Sequence, residues 1–284
     1  MKTEPIASYE TEPRPDALGH VLLVRHGDYH NSYIDNSNNP GYDPEKTGWL
    51  NERGIAQAGE FAKNLYAELS GKSVDILIIN SPTAAIDDNG ERFGRRAEHT
   101  ALEIGIKLRQ LKQEDPLSKI RFLGGAAEVG DGLVEPLFDD RVQEPQTHYI
   151  ASSDTPTAYM DALVSKYGFS GRKEAYHVGD PEVDAVAREI GAETAEDVAE
   201  RTRRFLADCR RIAELHAEHQ PDRELIIIAT THDDNLREAT QRVFDYGEKA
   251  HGKFAHNLEA LDISILRDGS MQTTVEGEEH ATRI

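Results

Sequence analysis

Two apolar runs in this chain each lead into a histidine. Val21-Leu22-Leu23-Val24 passes into Arg25-His26-Gly27, and Leu225 to Ala229 passes into Thr230-Thr231-His232-Asp233. A third apolar run, Val74 to Ile79, ends at Asn80-Ser81-Pro82, and the helical segment beyond it opens with Arg95-Arg96. An imidazole with one unprotonated ring nitrogen is a nucleophile. Guanidinium groups present planar forks that match the oxygens of an oxyanion. Two His and two Arg brought into one crevice would therefore make an anion site with a nucleophile at its floor. Each feature alone has an ordinary explanation. The chain holds 12 His, and a His at a strand end or an Arg at a helix start is commonly a hydrogen-bonded or salt-bridged structural residue. Their joint occurrence asks for chemistry.

Such residues need a scaffold that converges them. The apolar runs read as buried strands, and they alternate with segments of helical period. Ile55, Ala58, Phe61, Ala62, Leu65 and Leu69 mark a helix over 52–70 closed by Gly71. Further helices are predicted over 95–112 and 194–219, the latter opened by a capping box at Thr194-Ala195-Glu196-Asp197, and another runs from 233 to about 246. Residues 120–123 and 126–129 are strand-like, and 261–266 with 271–275 read as a hairpin turning at Asp268-Gly269. This alternation predicts one α/β domain: a three-layer sandwich whose sheet is mixed but mainly parallel, with helices on both faces. Ligands of such sheets bind beyond the carboxyl ends of the strands, where His26, Ser81 and His232 fall. Residues 1–18 carry several Pro and acidic groups and read as a flexible tail, leaving 19–284 as a single domain. Two segments stand out as insertions, a polar one at 83–94 and a mixed one at 136–190.

Composition narrows the partners. With 32 Lys+Arg against 52 Asp+Glu the net charge is −20, which disfavours nucleic acid and anionic membranes because both need clustered cations. The single Cys allows neither an internal disulfide nor a Cys-built zinc site. No apolar run reaches the length of a membrane span, and the first residues do not resemble a secretory signal. A soluble, cytoplasmic protein is expected, and the sequence permits a homo-oligomer without requiring one.

At this level a resemblance emerges. Leu23-Val24-Arg25-His26-Gly27 resembles the Arg-His-Gly signature of the histidine phosphatase superfamily, which includes phosphoglycerate mutases and acid phosphatases. Leu50 to Ala58 (Leu-Asn-Glu-Arg-Gly-Ile-Ala-Gln-Ala) is similar to the helix start that follows it in that family. Ser81-Pro82 and Arg96-Ala97-Glu98-His99-Thr100-Ala101 resemble its Ser-Pro-x-x-Arg-Ala-x-Gln-Thr-Ala segment, Leu133-Val134-Glu135 its Leu-x-Glu motif, and the run ending at His232 its second-histidine strand. These motifs keep the family's order across residues 21–236. The chain also departs from the pattern. Residues 83–95 separate Ser-Pro from Arg-Ala, Asp28 stands where many members have Glu or Gln, and Ser32 occupies the position of a family Asn, with Asn31 one residue earlier. Asp233 follows His232, as in the acid-phosphatase branch, where that Asp is the proton donor.

The resemblance implies a metal-independent phosphatase that needs no cofactor and acts on a small-molecule phosphate ester through a phosphohistidine. His26 would be the nucleophile. Arg25, Arg96 and His232 would bind the phosphoryl oxygens, Glu135 would be the acid, and Asn31 and Asp233 would bind substrate. Arg96 is favoured over Arg95 because Ala97 and Thr100-Ala101 follow it in the family register. Phosphoglycerate mutase-like phosphoryl transfer is the nearer alternative, disfavoured because no basic segment follows Glu135. A non-catalytic phospho-ligand-binding module is another, opposed by the full set of two His, two Arg and a carboxylate. A metal-dependent phosphoesterase is echoed by Asp28, His30, Asp180, His232 and Asp233, but its Asn-His-Asp element is missing.

Overall fold

The computed structural model describes residues 16–30, 48–81, 85–86, 92–93, 95–123, 165–168, 179–189, 194–247, 257–275 and 277–284. Asn31, Glu135 and most of the 136–190 insertion lie outside them. In chain order the elements are β1 (Ala17–Arg25), α1 (Glu52–Glu68), β2 (Val74–Asn80), β3 (Ala85–Ile86), β4 (Arg92–Phe93), α2 (Arg96–Glu114) and β5 (Arg121–Phe122). Then come α3 (Pro181–Glu189), α4 (Ala195–His219), β6 (Glu224–Thr231) and α5 (Asp233–Glu238), which runs into a π-helical turn at Ala239–Val243. The chain closes with β7 (Ala260–Leu266), β8 (Ser270–Val275) and β9 (Glu278–Arg283).

One seven-stranded sheet in the order β5-β2-β6-β1-β7-β8-β9 carries the fold. From β5 to β1 the neighbours are parallel, and from β1 onward they are antiparallel. The sheet is thus mixed, as expected. Side chains of a strand alternate between faces, and the two cores follow that alternation. Val21, Leu23, Leu77, Ile79, Leu225, Ile227 and Ala229 pack with Ala199, Phe205, Leu206 and Leu236 of α4 and α5. On the other face Leu22, Val24, Ile76, Ile78, Ile226 and Ile228 pack with Phe61, Leu65, Ile104 and Leu108 of α1 and α2. A strand buried on both sides has no polar alternation, which is why these three read as continuous apolar runs.

Four details differ from the sequence reading. β1 begins at Ala17, so the last residues assigned to the tail belong to the sheet. The 83–94 insertion contains an antiparallel strand pair, β3 with β4, on either side of Asp87-Asp88-Asn89-Gly90. The helix after His232 changes to π-helical pitch at Ala239 rather than continuing regularly. The terminal hairpin has a third strand, β9, whose sequence Glu-Glu-His-Ala-Thr-Arg is exposed or half-exposed throughout and so offers no apolar signal.

At the amino-terminal end of β2 sits a charged cluster. Asp75 is fully buried and accepts from Arg121 Nε at 2.8 Å and from Arg223 Nε at 2.6 Å, with His216 Nε2 at 2.9 Å. Arg223 also donates to the carbonyls of Val74 and Lys119. These contacts tie β5, β2, α4 and the entry to β6 together at the end of the sheet opposite His26.

Candidate active site

The first turn beyond β1 carries the candidate nucleophile. Strand pairing continues one residue past Arg25, for the His26 amide donates to the Thr231 carbonyl at 2.9 Å. On the other side the Arg25 amide donates to Glu259, and Leu258 donates back to Arg25. His26 is therefore held between the ends of β6 and the approach to β7. His26 is 3 % exposed.

The two ring nitrogens have different surroundings. Nδ1 lies 2.9 Å from the Gly27 carbonyl, so it is the nitrogen that carries the proton. Nε2 lies 2.9 Å from Arg96 Nε, a donor, and so presents its lone pair. Burial first, then the guanidinium of Arg96, the neighbouring His232 and Arg25, hold the His26 pKa well below the usual 6.5, against the opposing hydrogen bond to Gly27. The result is a neutral imidazole whose Nε2 lone pair accepts from Arg96 at rest.

The loop from Gly27 to His30 is braced by α1 and α2. Gly27 donates its amide to Thr100 Oγ1 at 3.0 Å, and Thr100 Oγ1 in turn donates to the Arg96 carbonyl at 2.8 Å. Asn51 caps α1 by accepting from the Gly54 amide, and its own amide donates to the Asp28 carbonyl. Gln57 accepts from the Asp28 amide at 3.0 Å. A Cβ on Gly54 would lie 2.0 Å from the Asp28 carbonyl oxygen, so only glycine allows this approach. Asp28 itself meets Arg53 at 2.9 Å and accepts from the Asn257 amide. It is thus engaged by the rim of the site and not by the His26 ring.

From the second strand end, Ser81 donates its amide to the Thr230 carbonyl, and Thr230 Oγ1 donates to the Ala97 carbonyl at 2.8 Å. This anchors the start of α2 over the carboxyl ends of β2 and β6. Arg95 and Arg96 then part company. Arg95 turns to Glu98 at 2.8 Å, one helical turn along, while Arg96 reaches His26. From the third strand end, His232 is buried and stands at the start of α5, its ring centroid 5.2 Å from that of His26. Arg25, His26, Arg96 and His232 therefore come together at one end of the sheet. Asp233 opens α5 next to them in sequence.

Tyr29 is a neighbour that sequence reasoning passed over. Its ring meets His26 edge-on at 5.2 Å, and the Arg96 guanidinium lies over its face at 4.6 Å. Thr100 and Gln57 belong to the sequence motifs but nothing local marks them as braces, and Asn257 carries no sequence signal. Among the described residues no group of three or more His, Cys, Asp or Glu could hold a metal ion. No described helix is long and apolar enough to cross a membrane.

Fold and site together define a three-layer α/β protein with a cluster of His and Arg side chains at the carboxyl ends of its central strands. No protein-family model and no curated protein matches the chain. Among solved structures it is similar to mycobacterial glucosyl-3-phosphoglycerate phosphatase, at 16% identity over 90% of this chain and 97% of that one, with a TM-score of 0.46. It is similar also to a phosphoserine phosphatase of Entamoeba histolytica, at 16% identity over 93% of this chain and 98% of that one, TM-score 0.39. YhfR of Bacillus stearothermophilus gives 16% identity, 92% and 97% coverage, and a TM-score of 0.42.

Proposed function

We propose that this protein is a phosphatase that hydrolyses a small-molecule phosphate monoester through a phosphohistidine on His26. One observation carries the reading: a buried neutral imidazole has its Nδ1 committed to a carbonyl and its Nε2 facing a guanidinium. In the first step the Nε2 lone pair forms a P–N bond as the P–O bond to the leaving oxygen breaks. Arg25, Arg96 and His232 stabilise charge on the phosphoryl oxygens in flight, where most phosphoryl-transfer catalysis resides. Glu135 protonates the leaving oxygen, and Asn31 and Asp233 bind the substrate. In the second step water attacks phosphorus, its proton passes to the Glu135 carboxylate, and the P–N bond breaks to release phosphate and free His26.

The experiment is a brief incubation with a labelled phosphate ester followed by an alkaline quench. Acid-labile, base-stable label should appear on the wild type and vanish in His26→Ala. Label that persists in the variant sinks the assignment. The same assay with paired esters tests the acid. Glu135→Gln should slow an alkyl ester far more than an aryl ester of a low-pKa phenol, which needs little protonation. If Asp233→Asn shows that selectivity instead, Asp233 is the acid.

A further inference from the structure

Arg96 has two tasks in the proposed reaction that pull it to different places. At rest its Nε–H lies 2.9 Å from His26 Nε2, the atom that must attack phosphorus. During reaction that donor has to serve a phosphoryl oxygen, and the lone pair has to be free. Its guanidinium must therefore move a short way without leaving the crevice. The backbone that bears it is anchored by Thr230 and Thr100, while the neighbouring Arg95 side chain turns away to Glu98.

Tyr29 supplies the missing surface. Its ring lies beneath the Arg96 guanidinium at 4.6 Å and stands edge-on to His26 at 5.2 Å with an interplanar angle of 82°. A ring face attracts a guanidinium without fixing its hydrogen-bond direction, so the cation can rotate in plane while staying attached. The backbone that carries the ring is itself held in place. Leu50 pairs with Tyr29 in an isolated antiparallel bridge, the Asp28 amide is bound to Gln57, and the His30 amide donates to the Trp49 carbonyl.

We propose that Tyr29 is a positioning residue that keeps Arg96 against His26 by stacking and lets it shift from Nε2 to the phosphoryl group. The proposal rests on the phosphatase reading above. The charged and titratable groups around His26 that bear on the test are Arg25 from β1, Arg96 from α2 and His232 from the end of β6.

The experiment compares Tyr29→Phe, Tyr29→Leu and Tyr29→Met, with Arg96→Leu as reference. First, the His26 imidazole is titrated by NMR without substrate. Loss of the stack should free Arg96 and raise the His26 pKa in Tyr29→Leu and Tyr29→Met toward its value in Arg96→Leu, while Tyr29→Phe stays with the wild type. Second, kinetics on an aryl phosphate should show about a tenfold loss of kcat/KM for Leu and Met, carried by kcat, with Phe restoring most of it. In the Arg96→Leu background Tyr29→Leu should change neither readout further. An unchanged titration in both Leu and Met variants overturns the proposal, and so does a Phe variant that behaves like Leu. The Met variant keeps the comparison open if Leu fails to fold. The titration needs no turnover, so a wild type inert toward every ester would sink the phosphatase reading alone.

Discussion

Adjacent arginines at the start of α2 show how much one residue of register decides. Arg95 lies just outside the helix with a non-helical backbone and turns to Glu98, whereas Arg96, the first helical residue, faces His26. His26 then inherits a low pKa from its burial and from Arg96. The sign follows directly. In the unfolded chain His26 titrates near 6.5, whereas folded it takes a proton only at lower pH. Its contribution to stability is complete above pH 6.5 and erodes as pH falls toward the folded value. By NMR the wild-type His26 ring should remain neutral at pH 6, and a midpoint near 6.5 would contradict the packing described. Which of the two arginines served the site rested, in sequence, on Ala97, Thr100 and Ala101 alone. Tyr29 gave no such hint, because an aromatic after Gly-Asp reads as any polar-loop residue.

At the scale of elements, the nucleophile loop depends on the first turn of α1. Asn51, Gly54 and Gln57 form a spaced set whose three residues each meet Asp28 or the cap below it. Gly54 is the sharpest of them. A methyl group there would overlap the Asp28 carbonyl, forcing α1 and the loop apart. Gly54→Ala should cost about 3 kcal/mol in urea unfolding and lower kcat/KM by pulling His26 off its line. A variant with wild-type stability and kinetics would show that the loop reaches its position without this contact. Helix starts were legible because capping residues and apolar periodicity are local. The partners they brace lie some thirty residues away and were not.

Across the whole molecule, the two ends of the sheet do different work. The carboxyl end gathers His26, Arg96 and His232, and the amino-terminal end is clamped by the Asp75 cluster. Burial opposes ionisation of Asp75, but hydrogen bonds from Arg121, His216 and Arg223 overcome it and keep its pKa far below the usual carboxylate range. That stabilisation is complete above the unfolded pKa of about 4 and is lost as pH falls below it. Asp75→Asn leaves the Arg121 and Arg223 guanidinium groups facing a neutral amide and should destabilise the fold by about 3 kcal/mol in urea titration at pH 7, with a smaller difference from wild type at pH 3. Equal stability at pH 7 would remove the clamp from this account. The site is distant, so kcat/KM of the folded variant should match the wild type.

The sequence by itself determined the central strands, the helices that flank them and the residues at their ends, because each follows from local periodicity, capping and burial on two faces. It also carried the Arg-His-Gly, Asn-x-x-Gly-x-x-Gln and Thr-His segments in order. Tertiary structure alone decided what those segments touch. Parallel pairing of β1 with β6 brings His232 beside His26, although they lie far apart in the chain. The Thr230 hydroxyl holds the first turn of α2 over the strand ends, where Arg96 reaches the imidazole. β9 escaped notice because it pairs at an edge with little burial, so nothing in its side chains announced a strand. Local signals arise from the chain's own backbone and neighbours. Convergence arises from register between distant strands, which depends on the packing of the whole sheet.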